Sequence, residues 1–149
     1  MALDLDLEPP ASDRRTAVTP PMVAAAVADV VVVLAFVATG RNNHDEGLSV
    51  ASVLDVATPF LVALALGWVA TTALGNRLEG APSGVPRVVR VWPTGVVLWV
   101  ATAVGGLALR NVVFGDGTAT SFVIVACAVL SVGLVGWRAA ASAWFGRRG

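Results

Sequence analysis

Residues 91–109 read VWPTGVVLWVATAVGGLAL, a stretch that contains no charged side chain and ends directly before Arg110. A helix needs about 20 apolar residues to cross the hydrocarbon core of a bilayer, and this stretch has that length. Tryptophan, threonine and glycine occur through its middle, whereas three other stretches of similar length are more uniformly apolar. We therefore predict a membrane-spanning helix here, with three further spans around it.

The composition of the whole chain points the same way. The chain has 149 residues, of which 56% are hydrophobic and only 13% are charged, whereas a soluble domain carries about a quarter charged residues. Four charge-poor runs fill more than half of the chain, so no separate soluble domain fits. The predicted fold class is an all-α membrane protein with four transmembrane helices in an antiparallel bundle.

The predicted transmembrane domain covers residues 21–149, with spans at about residues 21–39, 49–74, 91–114 and 118–138. Residues 1–20 are acidic and proline-bearing, which predicts a disordered tail. The glycine-rich turn at residues 115–117 is short, so the third and fourth spans should be antiparallel neighbours.

The distribution of arginine predicts the orientation in the membrane. One side would carry eight arginines, namely Arg14, Arg15, Arg77, Arg87, Arg90, Arg138, Arg147 and Arg148, and the other side two, Arg41 and Arg110. Because arginine accumulates on the cytoplasmic side, both termini should be cytoplasmic, in a multi-pass protein of the cell membrane. The pair Arg14-Arg15 also suits a secretory signal, but the apolar run after it is too long for a signal core and contains Asp29.

Asp29 is the most anomalous residue of the spans. It would lie about 12 Å above the cytoplasmic end of the first span, inside the hydrocarbon, where a carboxylate is costly and should face protein. Trp68, Trp99 and Thr102 fall at similar depth, and their N–H and O–H groups can donate to a carboxyl group. Asp29 is therefore either a proton-relay or coupling-ion carboxylate, or a packing residue that fixes helix register.

A second polar group is predicted at the outer rim. Arg110 and Asp55 fall at nearly the same height by helical rise, with Arg41 and His44 nearby. One interpretation is a vestibule that binds an anion or passes protons. We favour the other, a structural ion pair between Arg110 and Asp55, because charges near span ends cost little.

The sequence lacks the residues that several kinds of chemistry require. The absence of lysine excludes a Schiff base, the single Cys127 excludes an intrachain disulfide, and the single His44 excludes a haem held by two histidines of one chain. No nucleotide-binding loop, metal-ligand spacing or catalytic triad is present. We expect no catalytic residue, metal site, cofactor or nucleic-acid partner.

Three pairs of small residues stand four positions apart: Ala63 and Gly67, Ala101 and Gly105, and Thr102 and Gly106. Such pairs allow helices to approach closely. Packing within one chain is the default expectation, and dimerisation is the alternative.

A set of positions spread over the four spans forms a recognisable pattern. Its densest part is Trp92-Pro93-Thr94-Gly95, Trp99, Thr102, Gly105-Gly106 and Arg110, and the other positions are Asp29, Gly40-Arg41, His44, Pro59-Phe60, Gly67-Trp68, Phe122 and Gly136-Trp137. This pattern resembles a family of small prokaryotic membrane proteins of unknown function, domain of unknown function 3054. The resemblance covers about residues 29–138. It implies a four-span integral membrane protein and supplies no activity.

Two functions remain open at this point. The first is a non-enzymatic accessory or scaffold protein whose surroundings are the lipid bilayer and, in one form, further copies of the chain. The alternative is a small oligomeric transporter or channel for protons or small ions that uses Asp29 and the outer rim. Four short spans enclose little volume, so a transport path would need more than one copy.

Overall fold

The computed structural model describes residues 19–42, 49–78, 86–113, 115 and 119–147. Every regular element in these ranges is helical. The long helices are α1 (Pro20–Asn42), α2 (Val50–Leu78), α3 (Val91–Val112) and α4 (Thr120–Gly146), and a 3-10 turn at Arg87–Val89 precedes α3. Residues 1–18 of the predicted tail and the candidate residue His44 lie outside the described residues.

All four helices are long and apolar enough to cross a membrane, so this part of the predicted fold is confirmed. Their mean hydropathy ranges from 2.5 in α1 to 1.6 in α3, which is lowest where threonine, tryptophan and glycine interrupt the apolar residues. The fourth helix continues to Gly146, beyond the end predicted at residue 138. Four alanines between residues 139 and 143 explain the extension, because alanine is the strongest helix former.

The third helix is irregular. Its α-helical stretches, Val96–Val100 and Gly106–Val112, are joined by a π-helical turn at Ala101–Gly105, and the first residues, Val91–Gly95, form a kink. Trp92 has extended backbone angles, φ −113° and ψ 136°, and a cis peptide bond joins it to Pro93. The chain therefore bends at Trp92 as it enters α3.

The core lies between the four helices. Helix α1 packs against α2 and α4, and both of these pack against α3. Three phenylalanine rings, Phe36 of α1, Phe60 of α2 and Phe122 of α4, meet with centroids 5.7–6.4 Å apart. Edge-to-face contacts of this kind stabilise a core beyond the burial of their area.

Helices α2 and α3 approach closely through small residues. A Cβ atom on Gly67 would lie 3.0 Å from the Cβ of Ala101, and one on Gly105 would lie 3.2 Å from the Cβ of Ala63. Gly106 lies directly against the buried ring of Phe60. The small-residue pairs found in the sequence therefore serve packing within the chain.

This packing predicts a difference between two Gly→Ala substitutions. Gly106→Ala should lower the free energy of unfolding by about 1–3 kcal/mol, because the new methyl group overlaps the Phe60 ring. Gly136→Ala is the matched control, since a Cβ there meets nothing within 4 Å, and it should be neutral or stabilising by up to about 1 kcal/mol. Thermal unfolding in mild detergent measures both, and equal effects of the two substitutions would contradict the packing argument.

Candidate functional site

A buried ion pair and two half-buried indoles join three of the four helices. They belong to Asp29 on α1, Trp68 on α2, and Trp137 and Arg138 on α4, and we call them the Asp29 cluster. The side chains of Asp29 and Arg138 are both 0% exposed. Charged residues are almost never fully buried without a partner, so their contacts decide what the site does.

Asp29 and Arg138 form a two-pronged ion pair. The Arg138 Nη1 atom donates to Oδ1 of Asp29 at 2.7 Å, and Nη2 donates to Oδ2 at 2.7 Å. This fork-on-fork geometry gives short, charge-assisted hydrogen bonds with a fixed orientation. Because neither group reaches solvent, removal of one partner would leave an uncompensated buried charge.

Two indoles complete the surroundings of the carboxylate. Trp68 Nε1 donates to Oδ2 of Asp29 at 3.1 Å, and Trp137 Nε1 donates to Oδ1 at 3.0 Å. An ionised carboxylate offers about four lone-pair positions, and here four donors occupy them. The Asp29 carboxylate is therefore fully hydrogen-bonded by the chain itself.

Arg138 also binds backbone carbonyl groups outside the ion pair. Its Nε atom donates to the Val88 carbonyl at 3.0 Å, and Nη1 donates to the Leu134 carbonyl at 2.9 Å. The guanidinium lies 4.4 Å from the Trp137 ring centroid, in the range of a cation–π contact. Since Val88 belongs to the turn before α3, Arg138 links α1 and α4 to the entrance of α3.

The first residues of α3 leave space for the Arg138 side chain. The Thr94 hydroxyl donates to the Arg87 carbonyl at 3.0 Å, which closes the loop that contains Val88. A Cβ atom on Gly95 would lie 3.0 Å from Cδ of Arg138, so glycine leaves the space that the arginine side chain occupies. Thr94 thus holds the turn to α3, and Gly95 accommodates Arg138.

A further hydrogen bond ties the same turn to α4. The Ser142 hydroxyl donates to the Val89 carbonyl at 2.8 Å, one helical turn beyond Arg138. The turn at Arg87–Val89 is therefore held to α4 at two successive carbonyl groups.

Of the three side chains placed at the depth of Asp29 by helical rise, Trp68 contacts it. Trp99 instead donates to the Cys127 carbonyl at 3.0 Å and joins α3 to α4. The Thr102 hydroxyl is buried and makes no hydrogen bond to the described residues. Equal depth fixes height along a helix but not direction around it, which explains the difference.

The ion pair predicted between Arg110 and Asp55 does not form between these two described residues. Asp55 is exposed, and the Arg110 guanidinium lies 5.2 Å from the centroid of the Phe122 ring. Helical rise places the two residues at nearly the same height, but it does not fix the direction in which each side chain points. Arg41 stands near the end of α1, so the rim that it was predicted to share is described only in part.

Arg138 and Trp137 were not predicted as partners of Asp29, because the predicted fourth span ends at about residue 138, short of the end of α4. With α4 continuing to Gly146, Arg138 lies eight residues, or about 12 Å, from the helix end. Asp29 lies nine residues, or about 13 Å, from the start of α1. The alanine run after Arg138 is the signal that would have placed the two charges at one depth.

No group of three histidine, cysteine, aspartate or glutamate side chains comes together as a metal site within the described ranges. The cluster itself holds one carboxylate whose lone pairs are occupied and one guanidinium, which has no lone pair to offer a metal. Its chemistry is that of a charged, directional clamp between helices.

Comparison with known families matches residues 26–141 to the family described as "Protein of unknown function (DUF3054)". The matched residues include the whole Asp29 cluster and Gly95, which accommodates Arg138. No curated protein and no solved structure matches the chain. Since the match covers most of the chain, the protein belongs to the DUF3054 family of proteins of unknown function.

Proposed function

We propose that the chain is a non-enzymatic accessory or scaffold protein that crosses the cell membrane four times, with antiparallel helices and both termini in the cytoplasm. Four long apolar helices support the crossings. Because Arg138 is buried in an ion pair, seven arginines remain on the proposed cytoplasmic side, against two on the other. This excess still favours cytoplasmic termini.

The proposal rests on the Asp29 carboxylate, whose lone pairs are all occupied by hydrogen bonds from the chain. A carboxylate that relays protons or binds a coupling ion needs a lone pair that a proton or cation can reach. In the Asp29 cluster, two guanidinium nitrogens and two indole nitrogens occupy all these positions. The geometry favours a clamp over the alternative, transport of protons or small ions through Asp29.

A clamp of this kind suits a scaffold. It fixes the relative positions of α1, α2, α4 and the turn before α3 with directional hydrogen bonds. Interhelical packing inside lipid gains little from hydrophobicity, since lipid tails are as apolar as the helices, so polar contacts have more weight there. The result is a rigid end on which other molecules can assemble.

Two measurements test the proposal together. Crosslinking in intact membranes should trap the full chain in a complex larger than the monomer. Liposomes that contain the purified chain and an imposed pH gradient should lose the gradient no faster than protein-free liposomes. A chain that is monomeric in both membranes and mild detergent would refute the scaffold, and faster proton flux that Asp29→Asn abolishes would favour the transport alternative.

The proposed topology makes a separate prediction. In a Cys127→Ala background, single cysteines at Asn43 and Thr118 should react with a membrane-impermeant thiol reagent added outside intact cells. A cysteine at Ser83, in the second loop, should react only after the cells are opened. The reverse labelling pattern would overturn the orientation.

A further inference from the structure

Exposed aromatic and basic side chains gather near the turn that Arg138 holds. Arg87 and Trp92 belong to the segment that enters α3, and Trp92 is 67% exposed. Trp144, Phe145 and Arg147 belong to the end of α4 and are exposed as well. We call these five residues the aromatic–basic rim.

The contacts of Ser142 and Arg138 bring the two halves of the rim to one end of the protein. Ser142 binds the Val89 carbonyl, two residues from Arg87 along the chain. Trp144 follows Ser142 by two residues, and its ring meets that of Phe145 edge to face with centroids 5.2 Å apart. The rim is therefore held by the same hydrogen bonds that hold the turn before α3.

The charge of the rim is one-sided within the described part of the chain. The acidic residues described there are Asp29, which is buried, and Asp55, which is exposed on α2. Asp55 precedes Trp68 by 13 residues, about 20 Å along the helix, and so lies far from the rim. Among the described residues, the exposed charges at this end are positive.

The length of α4 places the rim at the depth of lipid headgroups. Its 27 residues span about 40 Å, whereas the hydrocarbon core is about 30 Å thick. Part of α4 therefore leaves the hydrocarbon, and Trp144 and Arg147 favour its C-terminal end, because tryptophan and arginine suit the interface. Anionic phospholipids present phosphate groups at that depth.

We propose that the aromatic–basic rim binds the phosphate groups of anionic phospholipids. The proposal rests on the proposed membrane-spanning topology, which brings the rim to the interface. The exposed guanidinium of Arg147 attracts the phosphate groups, and the exposed ring of Trp92 lies beside the glycerol and upper acyl region.

The test uses the purified full chain in mixed micelles that contain equal amounts of phosphatidylglycerol and phosphatidylcholine. After the chain is purified again, mass spectrometry gives the ratio of the two bound lipids. The wild-type chain should be enriched in phosphatidylglycerol. Arg147→Gln should lower this ratio by up to about fivefold, the effect of one basic residue near an anionic surface.

Arg41→Gln is the matched control, because it removes one positive charge at the C-terminal end of α1, at the end of the protein away from the rim. It should leave the lipid ratio unchanged, and an equal fall in Arg41→Gln would overturn the proposal. So would a wild-type ratio equal to that of the micelles, or loss of the enrichment in excess inorganic phosphate, which would identify a site for the free anion. Cysteine labelling tests the topology separately, so an absence of lipid binding at the rim can be distinguished from a wrong topology.

Discussion

Arg138→Met is expected to lower the free energy of unfolding by about 3–5 kcal/mol, one of the largest effects of any single substitution in this chain. Methionine fills much of the space of the arginine stem but leaves the fully buried carboxylate of Asp29 without its cation. It also removes the donors to the Val88 and Leu134 carbonyl groups. Thermal unfolding in mild detergent, followed by intrinsic tryptophan fluorescence, measures the loss.

The matched control for this substitution is Arg147→Met, which removes an exposed arginine from the same helix end. It should leave the unfolding temperature nearly unchanged, because exposed charges contribute little to stability. An Arg138→Met protein as stable as the Arg147→Met protein would show that the ion pair does not hold the helices together.

The helices were predictable from composition because a bilayer span needs only length and apolarity. Asp29 was recognisable as an anomaly for the same reason, since a single acid within an apolar run has to find a partner. Trp68 was one of three candidate partners at the depth of Asp29, and the structure shows a hydrogen bond to Asp29 for Trp68 alone among these three.

The charged partner was not predictable from the apolar pattern. Arg138 follows Trp137 at the end of the apolar run, where tryptophan and arginine usually mark the interface. The alanines that continue the helix are neither strongly apolar nor polar, so the pattern placed its end too early. Because alanine extends the helix to Gly146, Arg138 lies about two turns deeper than the predicted end.

Direction around each helix was the other missing quantity. The π-helical turn at Ala101–Gly105 changes the angular spacing within α3, so a regular helical count misplaces the faces after it. Gly106 nevertheless faces Phe60, and Arg110 lies over Phe122. The side-chain contacts of α3 therefore could not be predicted without the structure, whereas the depth of its residues could.

Asp29→Asn is expected to lower the free energy of unfolding by about 3 kcal/mol, because the guanidinium of Arg138 would stay buried without its counter-charge. If Asp29 were bound only by uncharged donors, asparagine would nearly replace it, and the ion pair with Arg138 is the reason that it does not. Adding Arg138→Met to Asp29→Asn should cost less than the sum of the two single effects, since the amide oxygen still accepts from an indole while no buried charge remains. The double-mutant cycle should give a coupling of about 1–3 kcal/mol. Asp29→Glu keeps the charge but lengthens the side chain, so its free energy of unfolding should fall between those of the wild type and Asp29→Asn. Strictly additive effects in the double-mutant cycle would show that Asp29 and Arg138 do not act as a pair.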